Sequence, residues 1–392
     1  MKKIKTIAQR PLLVAVAVLF LLTGFADNSF GQTRKEKREA AEKAAAAAAA
    51  PKQDPKPKLK KGEPKPYNEV ITKDAVSDDG LFQVHKIDDK YFFEIPNDLL
   101  GRDMLMVSRI AKTASGIGFG GGKTSTLMLR WERYENKILL KIISTQVTAD
   151  DSLPISEAVK NSNLDPILAS FQVEALSKDG NGVVIDASSL LTSDIKPLGL
   201  PQRNRTQYKV SRMDNDRSYV TRVSSYPENI ELRHVKTYLA GDSPSSREDG
   251  AITIEMSNSM ILLPAVPMQR RLYDERVGWF ARGTTDYGLD VQQSKDVRYL
   301  DRWRLEVRDE DMAKFRRGEL VVPKKQIVYY IDRATPEKWV KAIKDGIEDW
   351  QVAFEAAGFK DAIIAKTPPT PEEDPDWSPE DVRYSVVRYL AS

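Results

Sequence analysis

"KKQIVYYIDRATPEKWVKAIKDGIEDWQVAFEAAGF", residues 324–359, is the stretch on which the fold class turns. "QIVYYID" is apolar on both faces, the pattern of a strand covered by a helix. Thr335 suits an N-cap and Pro336 the first helical position. Trp339, Ile343, Ile347, Trp350, Phe354 and Ala357 follow at steps of four or three and make one apolar stripe. Gly358 supplies the stop. A Pro- and acid-rich loop, "TPPTPEEDPDWSPED", then leads into "VRYSVVRYL", which reads as a second buried strand. Strand, helix, strand predicts a right-handed parallel crossover.

Upstream the period changes to two. "GLFQVHKIDDKYFFEIP" alternates on both sides of Asp88-Asp89 and reads as a hairpin. Phe82 and Val84 share its apolar face, and Gln83 and His85 lie on a wet one. "DMLMVSRIAKT" is a third strand. "TLMLRWERYENKILLKIISTQ" is a hairpin turning near Glu135-Asn136. "ILASFQVEALSKDGNGVVIDAS", "YKVSRMDNDRSYVTRVSSYPENIELRHVKTYLAG" and "AITIEMSNSMILLP" continue the strand pattern. The expected fold class is α+β. A small β unit over 67–115 and a larger antiparallel β-rich unit over 116–312 precede an incomplete α/β unit over 316–392.

The first 66 residues have a different composition. Lys2, Lys3, Lys5 and Arg10 form a basic region ahead of the apolar run Leu12 to Leu22. Ser29 and Gly31 stand where a signal peptidase needs small residues. Residues 1–31 therefore read as a signal peptide, with an uncleaved anchor as the alternative, and the protein is expected to be exported to the periplasm or beyond. Residues 32–66, an Ala run followed by Lys-Pro repeats, cannot bury enough apolar surface to order themselves and read as a linker. These 66 residues hold 15 basic and 6 acidic side chains, so of the overall +3 they supply +9 and the rest of the chain carries −6. An acidic body argues against nucleic-acid binding. The basic linker is open to weak contact with an anionic membrane surface, or is a solvated spacer. The absence of cysteine excludes disulfides, thiol catalysis and a lipoprotein anchor.

Few residues invite chemistry. "GIGFGGGKTST" is not a phosphate loop, because Gly122-Lys123-Thr124 requires glycine where Ile117 stands and the next element alternates like a strand. It reads as a loop whose glycines allow close backbone approach. His85 and His234 have no histidine within ligand spacing and read as surface or structural residues. "EEDPD" lacks the central glycine of a calcium loop and reads as solvated. No carboxylate pair is marked out for acid–base work. "DERVGWFARGTTDYG" clusters Trp279, Phe280 and Tyr287 among Arg and Gly, either as a turn packed by aromatics or as a cleft-lining segment. No catalytic, metal-binding or cofactor-binding residue is assigned.

The blocks "PYNEVITKDAVSDDGLFQVHKIDDKYFFEIPNDLLGRDMLMVSRIAKT", "LRWERYENKILL", "DERVGWFARGTTDYG" and the opening stretch resemble, in order, the large secreted zinc-dependent metalloproteases of Gram-negative bacteria. The resemblance covers residues 67–392. It implies two N-terminal accessory domains of uncharacterised function and a zincin catalytic domain of metzincin type, with zinc as cofactor and a polypeptide as substrate. In that family an H-E-x-x-H-x-x-G-x-x-H helix binds the metal. That pattern occurs nowhere in this sequence, which reaches Ser392 just after the expected second strand. The expectation is therefore a partial catalytic domain, inactive alone and binding no zinc. The alternative is a non-catalytic secreted β-rich binding module.

Overall fold

The structure is a computed structural model describing residues 62–244, 248, 250–289 and 293–390. The expected signal peptide, and the linker up to residue 61, lie outside the described residues. The end of the linker is already paired: the Lys65 N–H donates to the Glu174 carbonyl, and Lys65 bridges Ala175.

Among the described residues seventeen strands follow. They are β1 (Val76–Asp78), β2 (Gln83–Ile87), β3 (Lys90–Pro96), β4 (Asp103–Lys112), β5 (Lys123–Tyr134), β6 (Lys137–Ile142), β7 (Val147–Thr148), β8 (Ile167–Leu176) and β9 (Gly182–Asp186). Then come β10 (Val210–Ser225), β11 (Asn229–Ala240), β12 (Ala251–Leu262), β13 (Ala281–Asp286), β14 (Lys295–Leu300), β15 (Ile327–Ile331), β16 (Ile363–Lys366) and β17 (Ser385–Val387). Eleven of them make one antiparallel sheet in the order β1-β2-β3-β9-β8-β6-β5-β4-β12-β11-β10. The sheet curls until its first strands meet its last. The Leu81 N–H reaches the Tyr226 carbonyl at 2.8 Å, and Ser225 Oγ donates to the Phe82 carbonyl at 2.6 Å. The two ends meet at the Ser225 end of β10, and no ladder continues along the rest of that strand's outer edge.

Strict alternation sends one face of each strand inward. Phe82, Phe93, Trp131, Ile138, Leu140 and Ile185 are fully buried there. Trp131 packs 6.1 Å from the Phe82 ring and 5.7 Å from Phe171. The segment 187–208 fills the rest of the interior, with Leu190, Leu191 and Leu198 in the main core and Leu200 in a second cluster with Tyr238 and Ile252. The strands of 67–115 and of 116–312 do not stand apart. β3 pairs with β9, and β4 pairs with β5 and β12, so both segments share one sheet and one core. Local patterning marks strands but carries no information on which distant strand completes each ladder.

The wet face expected on the β2–β3 hairpin is covered. Val70 and Ile71 pack on Phe92, Ala175 and Val184, and the Tyr67 ring stands edge-on to His85, which is 2% exposed. A segment distant from the hairpin turn supplies the cover, so alternation alone read that face as solvated.

A second, three-stranded sheet orders as β14-β13-β7, and a third, wholly parallel, as β16-β15-β17. The crossover from β15 lands on β16, which the sequence reading passed over, so the strand at 385–387 is the third of this unit rather than the second. The connecting helix is split into α1 (Glu337–Glu348) and α2 (Gln351–Ala356). Pro336 is its N-cap residue, and no side chain caps it. Of the apolar stripe, Ile343, Ile347 and Phe354 are half-buried while Trp339 and Trp350 are exposed. Gly358 ends the helix at φ 95°, where a Cβ would stand 2.5 Å from the Phe315 ring. The described residues belong to one compact unit.

Candidate functional site

On β11 and β12 the even-numbered residues face the interior, so Asn229, Glu231, Arg233, Ser257 and Ser259 point outward. Segment 378–390 of the α/β unit crosses over this face. A cleft of about 570 Å³ lies between them, lined by Arg109, Glu231, Arg233, Ser257, Asp332, Glu380, Tyr384 and Arg388 among others. Arg233 is the hub. It stands 3.2 Å from Glu231, 3.4 Å from Glu255 and in direct contact with Glu380. Glu380 also accepts from Arg222 at 2.6 Å and lies 3.5 Å from Arg388. Asn229 reads the backbone beside it: Nδ2 donates to the Glu380 carbonyl and Oδ1 accepts from the Val382 N–H, each at 3.0 Å.

The carboxylates of the cleft differ. Burial pushes the Glu231 carboxyl up, against a 2.5 Å bond from Ser257 Oγ and the Arg233 charge. Burial works the same way on Glu380, but the charges of Arg233, Arg222 and Arg388 outweigh it and hold that carboxyl below its ordinary range. Lys112 pairs with Glu255 at 2.7 Å. Each of these carboxylates already holds a cation, and the Ser257 hydroxyl spends its hydrogen on Glu231. The arrangement suits holding a charged surface in place better than moving a proton.

A second polar group is buried inside the barrel, against segment 193–205. Arg205 forks onto Asp194 at 2.8 and 2.6 Å and lies over the Tyr238 ring, 4.7 Å from its centroid. Lys236, 1% exposed, donates to the Ser193 carbonyl at 2.9 Å, and burial pulls its amine down to about 8. His234 Nε2 lies 3.1 Å from the Leu198 carbonyl, which can only accept, so this nitrogen carries the hydrogen. Burial, helped by the Lys236 charge, pushes the His234 pKa down to about 3. These residues tie the inner segment to β11.

The two histidines do not meet in a site. His85 lies under Tyr67, bonded to Ser77 at 2.7 Å and Glu94 at 3.2 Å, while His234 lies inside the barrel. Among the described residues no group of three or more His, Cys, Asp or Glu is placed to hold a metal ion. The glycine loop is the tip between β4 and β5. There a Cβ on Gly120 would meet the Ala111 carbonyl at 2.5 Å, the close approach its composition suggests. "EEDPD" forms an exposed turn on Thr370. Trp279 and Phe280 are 52% and 88% exposed and line no part of the cleft, so they neither pack a turn nor face that site. The sequence reading missed Arg222, Asn229, Glu231, Arg233 and Glu380. The available signal was charge at the outward positions of "NIELRHVKTYL", a strand otherwise rich in apolar residues.

No helix among the described residues is long and apolar enough to cross a membrane. No curated protein and no solved structure matches the chain. Residues 64–113 match the domain of unknown function DUF5118, which spans the cover segment and β1 to β4. Residues 121–308 match the domain of unknown function DUF5117, which spans β5 to β14. The chain thus carries two domains of unknown function in succession, DUF5118 and DUF5117, whose strands are built into a single sheet.

Proposed function

We propose that this chain is the N-terminal portion of a secreted zinc-dependent endopeptidase. Such an enzyme cleaves peptide bonds with zinc-activated water, and its metal-binding helix belongs to sequence other than these 392 residues. The observation that carries the reading is the parallel crossover from β15 through α1 and α2 to β16, which follows the two matched domains in the order the sequence resemblance implies. The exposed Trp339 and Trp350 on the crossover helix add weight, since an apolar face of that kind packs against further structure in a finished domain. The leader-like residues 1–31 support an exported location.

The residues present do not fit a zinc site. His234 commits Nε2 to a carbonyl inside the barrel, His85 commits its ring to Ser77 and Glu94, and there is no cysteine. No catalytic step is therefore assigned to this chain. The β body holds the α/β unit, and the polypeptide substrate belongs to the longer enzyme.

Metal analysis and casein hydrolysis with and without chelator test the reading. The 392-residue chain is expected to carry no stoichiometric zinc and to be inactive. A product continuing into an H-E-x-x-H segment is expected to gain both zinc and chelator-sensitive activity. Tight zinc in the 392-residue chain overturns the proposal. A longer product with neither metal nor activity favours the second reading, a non-catalytic binding module, for which the 570 Å³ cleft is the supporting observation.

A further inference from the structure

Arg222 on β10 and Arg233 on β11 are direct cross-strand partners. Like charges placed opposite each other on an antiparallel pair repel, and the ladder holds them only a few ångströms apart. Glu231 and Glu255 offset Arg233 from the same face, but the ion pair of Arg222 is with Glu380 of the α/β unit. One carboxylate thus closes over both guanidiniums, and Asn229 clasps the backbone just after it, at the Glu380 carbonyl and the Val382 N–H. Tyr226 adds a 2.8 Å bond to Ser378 Oγ.

We infer that the outer face of β10, β11 and β12 is a docking platform built for the chain's own segment 378–382, and that Glu380, seated between Arg222 and Arg233, is the bolt that holds the α/β unit on the β body. Three features set this apart from a chance surface ion pair, which contributes little. The Glu380–Arg233 pair is mostly withdrawn from solvent, with the Glu380 side chain 15% and the Arg233 side chain 17% exposed, while Arg222 closes it from the solvent side. The two arginines are pre-positioned by the ladder. Asn229 uses donor and acceptor together, so it selects the backbone register of the segment as well as its charge. This assigns the β body a role that stands whether or not the longer protein is a peptidase.

Hydrogen exchange on the full chain tests the platform. Glu380→Gln and, separately, Arg222→Ala are the informative variants; Arg222 is half exposed, so its truncation spares the barrel core. In both, amides of residues 378–390 are expected to exchange at least about tenfold faster, while β4 to β6 and β8 to β12 keep their protection. High salt is expected to produce a smaller change in the same segment. Exchange of 378–390 within about twofold of the parent chain in both variants overturns the inference. Equal acceleration across the barrel strands in both overturns it as well, because a bolt on the outer face does not hold the barrel together.

Discussion

His234 shows what a single position inside the sheet controls. Its pKa is about 3 in the fold against 6.5 for the free side chain. Because the folded value is the lower one, the unfolded chain takes up the proton first. The contribution of His234 to stability is therefore whole above about pH 6.5 and declines as the pH falls from there towards 3, by up to about 1.4 kcal/mol per pH unit. Glu231, raised by burial, works with the opposite sign as it protonates in the fold. Comparison with a His234→Leu variant isolates the histidine. The variant is expected to lose about 1–3 kcal/mol at pH 7, because the Leu198 carbonyl loses its donor, yet to show a flatter fall of the urea midpoint between pH 6.5 and 5. Parallel pH profiles in the two proteins would dismiss the assignment.

Strand β16 is an element whose survival depends on side chains from the helix before it. Its partner β15 takes one edge. On the other side Gln351 Oε1 accepts from the Ala362 N–H at 2.9 Å, and Glu348 Oε1 accepts from the Ala365 N–H at 3.0 Å. Ala362 and Ala365 are buried, so these N–H groups have no solvent to fall back on. The break between α1 and α2 at Asp349-Trp350 accompanies this arrangement, with Gln351 opening the second helix directly over the strand. Gln351→Ala is expected to cost about 1–3 kcal/mol by leaving the Ala362 N–H buried and unpaired, whereas Glu348→Gln, which keeps an acceptor, is expected to cost under about 1 kcal/mol. Thermal unfolding of the α/β unit, followed through Trp350 or Trp377 fluorescence, measures both. Equal losses would count against the edge-capping role.

At the scale of the molecule, the two matched domains are inseparable. β3 is completed by β9 and β4 by β12, so a cut between residues 115 and 116 leaves each half with open ladders and half a core. The fragments 62–115 and 116–312 are each expected to lack cooperative unfolding and a dispersed amide spectrum, and mixing them is expected to restore both. Residues 62–310, which retain every strand of the eleven-stranded sheet, are expected to fold without the α/β unit. Independent folding of 62–115 would refute the shared-core description.

Much of this was legible in residues alone. Alternation located the β2–β3 and β5–β6 hairpins with their turns at Asp88 and Glu135, and both residues take φ 52°. The strand at 327–331, the helical segment after it and the stop at Gly358 also followed from local rules, because period and glycine freedom act within a few residues, whereas the expected Thr335 cap did not form and the helix breaks at Asp349-Trp350. Three things did not follow. The wet face of the hairpin is covered by Tyr67 to Ile71 from outside it. The two β segments merged because ladder partners lie about 150 residues apart, as at Ser108 and Asn258. The platform arose because β10 and β11 bring Arg222 opposite Arg233 and the α/β unit lowers Glu380 onto both. Period and propensity are short-range properties of the chain, so they determined the elements. Ladder partners, burial and charge pairing are set by the three-dimensional approach of distant segments, and only the tertiary structure decided them.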